Sequence, residues 1–163
     1  EVTSSVKDMD GNVVVAEKAI LEGAKLLVYE IDHKQLNQQG KIEQKDGKVY
    51  FTKTKDGKTS TKEEKLGANL VGSVNFQKFW DRQETVGFEI FKIGEEQVGS
   101  EKALVLKMKP SSFLIAALVK PVIFKFSETD PKLLEMNGRV SPKRKDGSSW
   151  KDLDAEVVYS YGP

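Results

Sequence analysis

The sequence predicts a mainly β (α+β) fold: a strongly curved antiparallel sheet, a half-barrel, of about nine or ten strands with two short helices on its concave side. Three observations predict it. Apolar and charged residues alternate with period two around Leu104, Leu106 and Met108, around Phe124 and Phe126, and from Leu153 to Tyr161, as half-buried strands require. Asp-Gly pairs at 46–47 and 56–57 sit between extended segments, where two-residue hairpin turns need them. One wholly apolar block, Phe113 to Val119, interrupts the alternation and is fenced by Pro110 and Pro121.

Taken in order, residues 1–11 are polar and end in the turn pair Asp10-Gly11. Val13-Val14-Val15 is β-branched and predicts a strand. Ala16 to Ala24 has the composition of a helical turn, and Lys25 to Asp32 reads as a strand covered on both sides. His33 to Gly40 is a polar, Gln-rich connection. Its lone His33 reads as a solvated loop histidine, because a metal site needs several convergent ligands. A turn at 46–47 places Ile42 opposite Phe51 and Glu43 opposite Tyr50. Lys58 to Lys65 is nearly all Thr, Ser, Lys and Glu, which suits an edge or solvent-facing strand.

From 70 to 84 the apolar phases disagree. A break near Gly72-Ser73, then a short helix from about Asn75, puts Phe76, Phe79 and Trp80 on one side; Asp81-Arg82 is a surface ion pair. Thr85 to Ile93 is a strand whose pattern slips at Phe91, where a β-bulge is expected. Gly94 to Ser100 is a loop. Beyond Phe126, Glu128 to Pro131 makes a turn and Leu134 to Gly138 returns as a partner strand. Ser141 to Trp150 is a loop carrying Lys143-Arg144-Lys145. The last strand turns Leu153, Ala155, Val157, Tyr159 and Tyr161 to one face.

The block from Phe113 to Val119 reads as a helix: Ser111 or Ser112 can cap its start, and Pro121 forbids its continuation. A helix apolar all round must be buried on every side. Two readings stay open. It is either a core helix plugged into the curved sheet or a helix at the mouth of a cavity, touching a greasy ligand. It is too short to span a bilayer, which takes about 20 residues.

The composition narrows the function classes. The 163 residues suit one domain, 1–163, able to bury a core. Basic and acidic residues number 26 and 25 and are interspersed, so no nucleic-acid footprint appears. With no cysteine and a single histidine, thiolate chemistry is excluded. Neither a Ser-His pair with local support nor a phosphate-binding glycine loop is found. The sequence therefore points to no enzyme, no cofactor and no metal. It opens at Glu1 instead of methionine, the mark of a processed product, so a signal peptide or lipid anchor would lie upstream.

The order of marks in the second half resembles an uncharacterised group of exported bacterial proteins. Those marks are Phe76, Phe79 and Trp80; Pro110-Ser111; Phe113 to Val119; Pro121; Gly138; and Val157 to Tyr161. The group itself looks like the half-barrel of bacterial lipoprotein carriers and their envelope relatives, in which helices close a curved sheet over an apolar cavity. What the resemblance implies is that fold and a periplasmic or cell-envelope address. Fold likeness transfers no activity.

The expectation is thus a non-enzymatic envelope protein holding a lipid or other hydrophobic ligand between sheet and helices. Its lining would be Phe76, Phe79, Trp80, Phe113, Leu114, Ala117 and Leu118. A peripheral membrane contact through Lys143 to Lys145 is a weaker expectation. The rival is a solid-cored interaction module that docks an envelope protein through a sheet edge. A hydrolase built from dispersed carboxylates is the third reading.

Overall fold

In a computed structural model of the chain, residues 1–23, 25–65, 86–130 and 132–161 are described. They form two antiparallel sheets, one of six strands in the order β1-β2-β3-β4-β5-β6 and one of five in the order β11-β10-β9-β8-β7. The fold is mainly β and antiparallel, as its alternation and turn chemistry dictate, but its strands divide between two sheets. They also divide between two compact units: 1–85 with 141–151, and 86–140 with 152–163.

In the first unit the strands are β1 (Val2–Lys7), β2 (Val13–Glu22), β3 (Lys25–His33), β4 (Gln38–Lys45), β5 (Lys48–Lys55) and β6 (Lys58–Lys65). The β4–β5 and β5–β6 hairpins turn on Asp46-Gly47 and Asp56-Gly57, all four at positive φ, the pairing that a two-residue turn matched to strand twist demands. Ile42 pairs with Phe51 and Glu43 with Tyr50, in the expected register. β2 is a continuous strand, so the helical turn expected at 16–24 does not form over its described residues. Ala16, Lys18 and Ile20 alternate with Glu17, Ala19 and Leu21, and period two outweighs the local helix propensity. β1 likewise makes a strand of residues read only as polar.

Pairing places Ala19, Tyr29, Ile42 and Phe51 in one cross-strand row. With Val15, Leu26, Ile31 and Val49 that face forms the buried core cluster. The opposite face carries Lys18, Glu30, Lys41 and Thr52 in one row and Ala16, Asp32, Gln39 and Thr54 in the next. β6 is exposed almost throughout, as its composition predicts.

In the second sheet β7 (Phe88–Val98), β8 (Glu101–Pro110) and β9 (Val122–Ser127) run antiparallel beside β10 (Leu133–Asp146) and β11 (Ser149–Val158); residues 141–151 of the last two strands and their turn belong to the first unit and the rest to the second. The expected slip in β7 is a register shift between Lys92 and Gly94. Two expected loops are strand instead. β7 runs on to Val98 and turns at Gly99, which has positive φ. β10 continues through Pro142 to Asp146. Polar runs such as Glu95-Glu96-Gln97 and Lys143-Arg144-Lys145 satisfy an exposed strand as readily as a loop, which is why composition misled at both places.

Gly138 has φ +149, and a Cβ there would lie 3.0–3.2 Å from side-chain and backbone atoms of Val122. Backbone strain and the clash act together, so Gly138→Ala should destabilise the second unit by about 1–3 kcal/mol. Urea denaturation followed by circular dichroism measures this, and an unchanged midpoint would contradict the close approach.

Candidate functional site

One face of the second sheet is apolar; the other, charged face also carries the buried Ala103 and Val105. Leu104 pairs with Phe126, Leu106 with Phe124 and Met108 with Val122, and Met136 with Phe124. All these side chains share a face because register fixes side-chain direction. Met108 and Val122 are buried; Leu104, Leu106, Phe124, Phe126 and Met136 are half-buried. Phe124 and Phe126 stand side by side, ring centroids 6.3 Å apart. On the charged face Lys125 bridges Glu96 at 2.9 Å and Glu135 at 3.1 Å, and the Lys109 ammonium lies 5.7 Å from the Phe91 ring centroid.

The apolar block emerges at one end of this sheet. Helix α1 (Phe113–Ala116) is a single turn, with Ala117 as its C-cap and no side-chain bond at its Ser112 N-cap. The expectation of a helix buried on a concave side is overturned. Phe113 is 85% exposed, Leu114 76% and Leu118 80%, and Ala117 is exposed as well. The reason is topological. β8 and β9 are direct antiparallel neighbours, paired up to Met108 and Val122, so the connection between them is held at the sheet's end. Pro121 stops the helix, and Ser111 is tied back by its N–H to the Gly87 carbonyl at 2.9 Å. A turn so short cannot reach back over the sheet.

Of the seven residues expected to line a ligand site, the structure therefore brings Phe113, Leu114, Ala117 and Leu118 together on one exposed turn. Phe76, Phe79 and Trp80, with the helix and ion pair expected around them, lie outside the described residues. Around the turn the charges are paired: Lys120 with Asp154 at 3.5 Å, and Arg139 with Asp152 and with Asp154 at 2.6 Å.

A polar cluster in the first unit was not foreseen. His33 is 4% exposed, not a solvated loop residue. It ends β3, opposite Val15 on one side and Gln38 on the other, and a 3-10 turn over Lys34–Leu36 with Asn37 at φ 48 replaces the expected loop. Its Nε2–H donates to the Ser141 carbonyl at 2.9 Å. Ser141 Oγ donates to Glu17 Oε1 at 2.8 Å, Tyr29 Oη to the same oxygen at 2.9 Å and Ser4 Oγ to Glu17 Oε2 at 2.9 Å. Burial, helped by the Glu17 charge, pushes the Tyr29 hydroxyl well up, so it stays a donor. Burial above all pushes the His33 imidazole down, Lys143 adding to this against the Ser141 carbonyl, the residue's own main chain and Glu17. A nucleophile needs its base on the hydroxyl. Here His33 is spent on the backbone carbonyl and Ser141 Oγ on a carboxylate, so the cluster fastens the chain and does not activate it. No sequence signal marks it, because its members come from β1, β2, β3 and β10.

The polar side of the six-stranded sheet holds an open groove of about 440 Å³ lined by Lys18, Glu30, Asp32, Gln39, Lys41, Thr52 and Thr54. Charged side chains of both signs make it unsuited to an apolar ligand. Among the described residues, no three His, Asp or Glu side chains gather as a metal site would require, and no helix is long and apolar enough to cross a membrane.

No protein-family model matches the chain, and no match to it is found among the curated proteins or the solved structures.

Proposed function

We propose that the protein is a non-enzymatic component of the periplasm or cell envelope that engages lipid. In this reading the half-buried apolar face of the second sheet is the wall of a half-barrel-like lipid seat. The turn 113–119 at its end is the element that enters the lipid. The observation that carries the reading is the exposure of Phe113, Leu114 and Leu118. Contiguous apolar side chains held in water mark an interaction site, and fully burying three such residues is worth about 5–8 kcal/mol before entropic costs. Side chains exposed by three quarters or more bury most of their area only in a medium that surrounds them, which a lipid phase does. The envelope address is supported by the resemblance of the second half to exported proteins.

Native mass spectrometry before and after solvent extraction tests the proposal. Lipid-sized adducts that extraction removes are expected. A bare mass in gently purified protein, with none gained on adding lipid, would contradict it. One observation favours a second reading, a docking module for a protein partner. Ile90 (58%), Phe91 (40%) and Ile93 (51%) are exposed on β7, which ends the strand order of the second sheet. Strand addition would occupy that edge; a bare mass together with protection of β7 amides by an envelope fraction would favour it.

A further inference from the structure

The buried polar cluster ties down one particular stretch of chain. Within the first unit, residues 141–151 form a strap, the tip of the β10–β11 hairpin. Four hydrogen bonds fasten it. His33 Nε2 and Glu17 hold Ser141 as described. Gln35 Nε2 donates to the Lys143 carbonyl at 3.1 Å, and the Lys143 N–H donates to Gln35 Oε1 at 2.8 Å. Two of the four use a single residue, Gln35, on the turn that directly follows His33. The imidazole is therefore the hinge pin of the arrangement: it sets the end of β3 against the strap, and the Gln35 pair follows from it.

His33 Nδ1 is buried and has no hydrogen-bond partner among the described residues. A neutral imidazole tolerates this, because Nδ1 is then a lone pair; a protonated one is disfavoured, because Nδ1–H would be a buried donor with only the residue's own main chain, to which it makes no hydrogen bond in the docked structure, to offset its burial. The charged groups facing the ring are Glu17 from β2 and Lys143 from the strap itself, the latter 7% exposed. Along the cross-strand row stand Gln38, which is neutral, and then Lys55. Glu17 draws an imidazolium but is already shared by three hydroxyls, and Lys143 repels it.

We propose that His33 makes the strap an acid-released latch: docked on the six-stranded sheet while the imidazole is neutral, and freed locally when it takes up a proton. The sign follows from linkage. With the strap docked the neutral ring is favoured, and with it released the ring returns to water and to the ordinary value of 6.5. Docking is at full strength above that value and is lost as the pH falls through it, by up to about tenfold per pH unit for one proton. Release bares the polar end of the core face around Val15 and His33, and frees Lys143, Arg144 and Lys145 from a surface where Lys143 is now enclosed.

His33 is the chain's one histidine, so its titration is read without ambiguity by NMR of the ring. Hydrogen exchange of the 141–151 peptide, corrected for the intrinsic pH dependence of exchange, is measured on the same full-length chain between pH 7.5 and 5. Protection of the Lys143 amide should fall by up to about tenfold per pH unit below 6.5, in step with the His33 titration, while the Ile42 and Phe51 amides keep theirs. In His33→Gln, whose amide can still donate to the Ser141 carbonyl, strap protection should not depend on pH. Strap protection that stays constant while His33 titrates would overturn the latch. So would loss of strap and core protection together. Should His33→Gln not fold, the wild-type comparison of titration and protection decides alone.

Discussion

Phe51→Ala is expected to cost the first unit about 3–5 kcal/mol, enough to leave it largely unfolded if its stability lies at the low end of the usual 5–15 kcal/mol. Phe51 is 0% exposed and is the largest fully buried side chain among the described residues. It closes the core row, between Ile42 on β4 and Lys62 on β6. A sheet of backbone hydrogen bonds cannot close around the missing ring without breaking pairs on both sides, so most of the cavity persists. Guanidinium unfolding followed by far-ultraviolet circular dichroism gives the value. A loss below about 1 kcal/mol would mean that the core is not centred on this row. Val158→Ala, at a residue 69% exposed, is the matched control and should change stability by no more than about 0.5 kcal/mol.

Leu114→Asp should do the reverse: leave the fold intact and weaken the proposed lipid binding. At 76% exposure the leucine contributes little to folding, so unfolding should shift by no more than about 0.5 kcal/mol. In lipid the same position would exchange a favourable burial of about 1.5–3 kcal/mol for a carboxylate that resists leaving water. Lipid affinity should therefore fall by at least about tenfold, and by a hundredfold or more if the side chain is fully immersed. Flotation with phosphatidylcholine vesicles measures it. Had the turn been a plug in the core, the same substitution would unfold the protein; the two outcomes separate cleanly.

How far the sequence could be read depended on whether the deciding interactions were local. The hairpins at Asp46-Gly47 and Asp56-Gly57 were legible, the first down to its register, because turn type and strand pairing are set within a dozen residues. The exposed edge strand β6 and the irregularity of β7 were legible for the same reason. The apolar turn was found as a feature and misplaced as a structure. An uninterrupted run such as Phe-Leu-Ile-Ala-Ala-Leu-Val announces hydrophobicity, but only the adjacency of β8 and β9 decides that it projects from the sheet's end. His33 shows the opposite failure. A single histidine in a polar stretch carries no local mark of burial, and its burial comes from Ser141 and Lys143, which lie 108 or more residues away. The division of the strands between two sheets was hidden likewise, since alternation specifies that strands exist and not which of them pair.

Lipid binding as proposed requires the apolar turn to be presented to the outside for a lipid phase to receive. Its most direct test is a tryptophan at position 113 as the single indole of the chain: Phe113→Trp together with Trp80→Phe and Trp150→Phe. The prediction is emission characteristic of water in buffer, shifting to the blue and becoming quenchable by brominated phosphatidylcholine when vesicles are added. Emission that is already blue in buffer, and indifferent to vesicles, would contradict it.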